Sequence, residues 1–166
     1  MNQDALIIIL MGVSGSGKST IGQLLANKLG WQFYDGDDLH PKANIDKMRQ
    51  GIPLTDRDRD SWLAALQHLI NDLISKNQSA IITCSALKQS YRDRLVENRK
   101  NVVIVYLKGD YDLIRKRLLT REDHFFDANL LASQFETLEE PEGVLTVDIS
   151  QEPSAIVDQI RRELRL

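Results

Sequence analysis

Residues 12–19 read Gly-Val-Ser-Gly-Ser-Gly-Lys-Ser, a complete G-x-x-x-x-G-K-[ST] pattern. The isoleucine-rich run Ala5 to Met11 precedes it. Such a run suits a strand buried on both faces of a parallel sheet. Lys18 to Leu29 follows, with Ile21, Leu24, Leu25 and Leu29 at helical spacing and Gly30 where a helix should stop. Strand, glycine loop and helix in that order restrict the chain to an α/β fold with a helix N-terminus aimed at an anion. Gly12, Gly15 and Gly17 admit backbone angles and close approach that a β-carbon blocks. The amides of Gly12, Val13, Ser14, Gly15, Ser16 and Gly17, with Lys18, Ser19 and Thr20 opening the helix, form the expected cradle for the phosphates of a nucleoside triphosphate. Lys18 is placed to reach the β- and γ-phosphates, and the Ser19 hydroxyl to ligate Mg²⁺.

The rest of the chain alternates in the same way. Trp31 to Tyr34, Ser79 to Thr83, Val102 to Leu107 and Val144 to Ile149 read as further strands. Helices are expected over Pro41 to Gln50, Asp58 to Lys76, Ser90 to Asn98, Tyr111 to Thr120, Ala128 to Leu138 and Ser154 to Leu166. This predicts an α/β fold with a five-stranded parallel sheet flanked by helices, as one domain over 1–166. The length of 166 residues and 42% hydrophobic content suit one full core. A net charge of -3 argues against nucleic acid as the main partner. Cys84 stands alone, so no intramolecular disulfide forms, as expected of a cytoplasmic protein. The apolar run at the N-terminus is too short to cross a bilayer and follows no basic segment, so no membrane association is expected.

A phosphate loop implies a nucleoside triphosphate but not a reaction. No Asn-Lys-x-Asp occurs, which argues against a guanine switch. The strand ending at Thr83 runs into Cys84-Ser85 rather than the usual metal-binding Asp followed by Glu, so an acid must come from elsewhere. Tyr34-Asp35-Gly36-Asp37-Asp38 supplies it, at the C-terminal end of the second strand where open α/β sheets build their sites. Asp35 and Asp37 lie two apart, so both can point one way along an extended chain. Asp35 can hold Mg²⁺ through its waters, and Asp37 can orient an acceptor hydroxyl and take its proton. The residues themselves leave that assignment open, and a solvated acidic turn is the plainer alternative.

Further along stand Leu39-His40-Pro41, Asn44, Lys47-Met48, Gly51, Pro53-Leu54, Asp56, Asp58-Arg59 and Trp62-Leu63. Cys84-Ser85-Ala86-Leu87-Lys88 precedes Tyr91-Arg92-Asp93, and later come Tyr106-Leu107-Lys108-Gly109, Arg117, Arg121, His124-Phe125, Ser133-Gln134-Phe135 and Leu138-Glu139. From the first strand to about Pro141 this pattern resembles the gluconate kinase family. The family is similar in fold to shikimate and adenylate kinases, with a mobile lid that would fall here at about 117–137.

The resemblance implies ATP-dependent phosphorylation of the 6-hydroxyl of D-gluconate, and a possible homodimer. A sugar acid needs cations for its carboxylate and mixed donors and acceptors for its hydroxyls. Arg49, Arg57, Arg59, Lys88 and Arg92 are the candidate cations, because arginine in particular binds carboxylates bidentately. Arg57 to Asp60 is equally well read as a solvated, self-paired helix start. Lys88 and Arg92 share a helix face by spacing and are expected at the acceptor, with surface charge as the alternative. His40 is either an acceptor contact or part of a helix start at Pro41. Cys84 reads as core. On the lid, Arg117 and Arg121 are four apart and share a face, suiting one to the nucleotide and the other to the transferring phosphate. Arg115 reads as solvent-facing, and Phe125 and Phe126 as packing. The competing readings are a shikimate-type or nucleoside monophosphate kinase, and a non-catalytic nucleotide-dependent regulatory module.

Overall fold

The computed structural model describes residues 4–120 and 128–166. Five parallel strands form one sheet: β1 (Ile7–Met11), β2 (Gln32–Asp35), β3 (Ala80–Thr83), β4 (Val102–Lys108) and β5 (Leu145–Asp148), in the order β2-β3-β1-β4-β5. Between them run α1 (Lys18–Leu29), α2 (Lys42–Arg49), α3 (Asp56–Ser75), α4 (Gln89–Val96), α5 (Tyr111–Leu119), α6 (Ala128–Thr137) and α7 (Pro153–Leu164). The five expected strands and seven expected helices are all there. Arg121, His124, Phe125 and Phe126 lie outside the described residues. No helix among the described residues is long and apolar enough to cross a membrane.

β1 is the centre of the molecule. It pairs with β3 on one side and β4 on the other, with Ile8 beside both Ile81 and Val103. Its side chains alternate between two cores because strand side chains point to opposite faces in turn. Ile8 and Leu10 pack with Leu25 of α1 and Ile160 of α7. Ile7, Ile9 and Met11 pack with Trp62 and Leu66 of α3 and Leu95 of α4. Both faces of β1 are therefore dry, which explains its unbroken apolar sequence.

Two local differences from the sequence reading matter for the site. Helix α3 begins at Asp56, two residues earlier than expected, because Thr55 caps it. Thr55 Oγ1 accepts from the Asp58 amide at 3.1 Å, and Asp58 Oδ2 accepts from the Thr55 amide at 2.9 Å. This capping box satisfies donors that the first helical turn would otherwise leave bare.

The second difference is a correction. The chain after β2 is not extended: Gly36–Leu39 form a 3-10 turn. Asp35 ends the strand and its Oδ1 accepts from the Asp37 amide at 2.9 Å, which tightens the bend. Gly36 lets this turn lie flush against β3, since a β-carbon there would stand 2.1 Å from the Thr83 carbonyl oxygen. The Trp62 indole N–H donates to the Gly36 carbonyl at 2.7 Å and closes the contact from the α3 side.

The clash is with backbone, which cannot rotate away. Gly36→Ala should therefore destabilise the fold by about 1–3 kcal/mol, the usual range for overpacking. Urea unfolding would measure this, and an unchanged midpoint would contradict the packing described.

Candidate active site

The C-terminal ends of β1, β2, β3 and β5 open onto a cleft of about 830 Å³. Ligand sites of open α/β sheets form at such ends. The floor is the phosphate loop, with residues 14–20 lining the cleft. Gly15 has φ +82, a conformation that side-chain-bearing residues rarely adopt. Gly17 caps α1 without a side-chain bond, so the first turn of α1 meets the cleft with amides rather than with a capping side chain. Gly12 and Val13 contribute from beneath: their carbonyls accept from Lys18 Nζ at 2.8 and 3.0 Å. Lys18 is thereby folded back onto its own loop, where an ammonium meets incoming phosphate.

The wall beside the loop carries the acids. Asp35 Oδ2 accepts from the Ser19 hydroxyl at 3.4 Å, and Asp35 Oδ1 accepts from Thr83 Oγ1 at 3.2 Å. Both Asp35 oxygens are thus engaged by the turn, the strand end and the phosphate loop. Asp37 is held differently. Its surface is exposed to solvent, and the cleft walls crowd it from several sides. Burial pushes its carboxyl above the usual carboxylate range, Lys18 opposes this, and Asp35 and Asp38 add to it. A carboxylate that is easier to protonate is a better proton acceptor near neutral pH.

The opposite wall comes from α2 and α3. Arg49 and Arg59 line it, with His40 and Trp62. Arg59 Nη1 donates to the Tyr91 hydroxyl at 3.1 Å, and that hydroxyl donates in turn to Asp56. The network holds one end of the guanidinium while the residue remains on the cleft wall. His40 is buried and stacks on Trp62, with ring centroids 4.2 Å apart and planes 14° from parallel. Burial lowers the His40 pKa to about 4, and the Arg59 charge acts in the same direction. The ring is therefore neutral at pH 7.

Lys88 and Arg92 do not line this cleft, against the sequence expectation. Lys88 pairs with Asp56 at 2.9 Å, on the outer side of the Tyr91 network. Arg92 is buried at 3% exposure. Its guanidinium donates to the carbonyls of Ala86, Leu87 and Glu139 at 2.7, 3.2 and 2.7 Å. It clamps the loop after β3 to the chain leaving α6, and Ala86 sits in that loop with φ +46. The Arg57 to Asp60 segment is not self-paired either. Asp58 takes Lys47 at 2.9 Å, and Asp60 takes Arg94 at 2.8 Å. Thr55 first and Lys47 second hold the Asp58 carboxyl down at about 2. Cys84 is core as expected, and burial pushes its thiol up to about 12.

Arg117 lines the cleft beyond the phosphate loop and donates to the Ile149 carbonyl at 2.6 Å. Gln151, Pro153 and Ile156 share that end. Gln134 of α6 makes a contact the sequence did not announce. Its Oε1 accepts from the Ser14 amide at 2.8 Å and its Nε2 donates to the Ser14 hydroxyl at 3.0 Å. Helix α6 is thus bonded directly to the phosphate loop. Trp62 is both core and cleft wall. Its single polar atom bonds a turn 26 residues away, a pairing that no local pattern announces.

Residues 7–141 match the model of a family described as an AAA domain. The chain is 48% identical over 160 residues to the thermoresistant gluconokinase of Escherichia coli (strain K12), covering 94% of this chain and 91% of that protein. It superposes on the crystal structure of a sugar kinase from Janibacter sp. HTCC2649 with a TM-score of 0.92 and 40% identity, over 97% of this chain and 95% of that one. The crystal structure of a gluconokinase from Sinorhizobium meliloti 1021 gives a TM-score of 0.82 and 39% identity, over 99% and 98%. A phosphate loop, a paired acid turn and an arginine-bearing wall around one cleft agree with these matches in pointing one way: the chain belongs to the gluconokinase family.

Proposed function

We propose that this chain transfers the γ-phosphoryl group of ATP to the 6-hydroxyl of D-gluconate, and that the residues lining this cleft divide the work. The observation that carries the reading is the shared cleft itself. It is lined by the phosphate loop, by Asp37 beside that loop, and by Arg49 and Arg59 on the facing wall. A sugar acid needs that arrangement, with cations for its carboxylate and a base at its reacting end.

The triphosphate lies along residues 12–20, with Arg117 toward the base. Lys18 offsets charge on the β- and γ-phosphates as the transfer proceeds. Arg49 and Arg59 bind the gluconate carboxylate, and His40 meets a hydroxyl. The 6-hydroxyl oxygen forms a bond to the γ-phosphorus while the bond from phosphorus to the β–γ bridging oxygen breaks. The hydroxyl proton passes to Asp37, and ADP leaves. Because such transition states are loose, positioning and charge compensation supply most of the acceleration. The hard oxygens of Ser19 and Asp35, hydrogen-bonded to each other, fit Mg²⁺, and these two residues would hold it beside the phosphates. When bound, the ion screens phosphate charge. Asp35, engaged on both oxygens, suits that anchoring task, which leaves Asp37 as the base.

ADP release with Mg-ATP and one acceptor at a time tests the reading: D-gluconate, related sugar acids, shikimate, AMP and none. Strong release with D-gluconate, and 6-phosphogluconate as product, is expected. Release with shikimate or AMP instead would replace the acceptor. No release with any acceptor would favour a nucleotide-dependent regulatory module. Asp37→Asn should lower kcat by roughly 10²- to 10⁴-fold while ATP binding persists. Lys18→Ala should lower turnover by at least about 10²-fold. Undiminished turnover in Asp37→Asn would remove Asp37 as the base.

A further inference from the structure

Behind His40 on the acceptor wall runs a hydrogen-bond chain through Asn44, a residue with no part in the mechanism above. Asn44 sits on α2 with 3% of its surface exposed. Its Nδ2 donates to the Asp58 carbonyl at 2.8 Å and lies 3.2 Å from His40 Nδ1. A backbone carbonyl can only accept, so Asp58 dictates which end of the Asn44 carboxamide carries the NH₂ group. That same NH₂ group faces His40 Nδ1, which must therefore accept. A neutral imidazole has one donor and one acceptor, so the His40 proton resides on Nε2.

Three contacts make this arrangement rigid. The imidazole plane is pinned by the stack on Trp62. Trp62 is pinned by its bond to the Gly36 carbonyl. Asp58 is pinned by the capping box with Thr55 and by Lys47. The positive charge of Arg59 opposes protonation of the ring from the cleft side. His40 Nε2 has no hydrogen-bond partner among the described residues, and His40 lines the cleft.

We propose that Asn44 is a positioning residue that locks His40 as the Nε2–H tautomer, so that the acceptor site presents a fixed donor to a hydroxyl oxygen of the substrate. This rests on the reading of the cleft as a polyol-acid site and deepens it. Asp37 and His40 then differ in kind: one oxygen-bearing group takes a proton, and one nitrogen gives a hydrogen bond and keeps its proton. A substrate with oxygen at the matching carbon satisfies the donor. One lacking it leaves a donor unpaired in a confined site, which is how such sites discriminate. Asn44 itself touches no substrate.

Nitrogen-15 correlation spectra of the histidine rings test this without any turnover, so failure here is distinct from failure of the kinase reading. In the wild-type protein at pH 7.5, His40 should show a protonated Nε2 and an unprotonated Nδ1. Asn44→Asp replaces the donor with an acceptor of the same shape and should move the proton to Nδ1. With the tautomer reversed, KM for D-gluconate should rise by about tenfold or more, the worth of one hydrogen bond, with KM for ATP unchanged. Asn44→Gln, which keeps the amide, should preserve the Nε2–H tautomer. Where a variant does not fold, the wild-type spectrum decides by itself. Nδ1–H in the wild-type protein would overturn the proposal. So would an unmoved proton in folded Asn44→Asp, or a moved proton with KM for D-gluconate unchanged.

Discussion

The whole site hangs on the contact between Gly36 and the end of β3. With no β-carbon at position 36, the turn after β2 lies against the Thr83 carbonyl. Thr83 is paired in turn to Leu10 of β1, one residue before the strand ends and two before Gly12 opens the phosphate loop. The acids and the loop that arrive on different strands are therefore brought to one edge by backbone packing. Thr83 Oγ1 then bonds Asp35, and the Ser19 hydroxyl bonds the same carboxylate from the other side. No flexible side chain has to reach far. Sites built on strand ends hold geometry better than sites built on loops.

Helix α3 supplies the complementary half. Its first two turns carry Arg59 and Trp62, and its cap fixes where they point. Asp58 is the junction: it caps the helix, pairs with Lys47 of α2, and offers its carbonyl to Asn44. Exposed ion pairs of this kind add little stability by themselves. Their effect here is directional, because they set the position of α2 against α3 and hence of Arg49 and His40 against Arg59. The cations of the acceptor side accordingly separate into two groups. Arg49 and Arg59 face the cleft, while Lys88 and Arg92 hold the scaffold around it. Arg92 donates to three carbonyls and to the Gln89 side chain, which ties its guanidinium to the scaffold rather than to the cleft.

The fold was legible because its signals are local and strong. Five apolar runs, seven helical spacings and a contiguous phosphate loop need no knowledge of distant contacts. The loop residues were legible for the same reason. The acid pair was legible in identity but not in shape: a two-residue spacing suggested an extended chain, and the tight packing of Gly36 on Thr83 produced a turn instead. Lys88 and Arg92 were misplaced because proximity to a strand end says nothing about the direction of a side chain. Asn44, Trp62 and Gln134 were visible as letters, but their roles come from partners 4 to 120 positions away. Nothing in periodicity or propensity encodes such pairings.

The most direct measurement of the central claim is a crystal structure with D-gluconate and a non-hydrolysable ATP analogue. The account predicts the gluconate carboxylate on Arg49 and Arg59, the 6-hydroxyl within hydrogen-bonding distance of Asp37, and the γ-phosphate against Lys18. A carboxylate held by Lys88 or Arg92, or a sugar acid bound with its 6-hydroxyl away from Asp37, would contradict it.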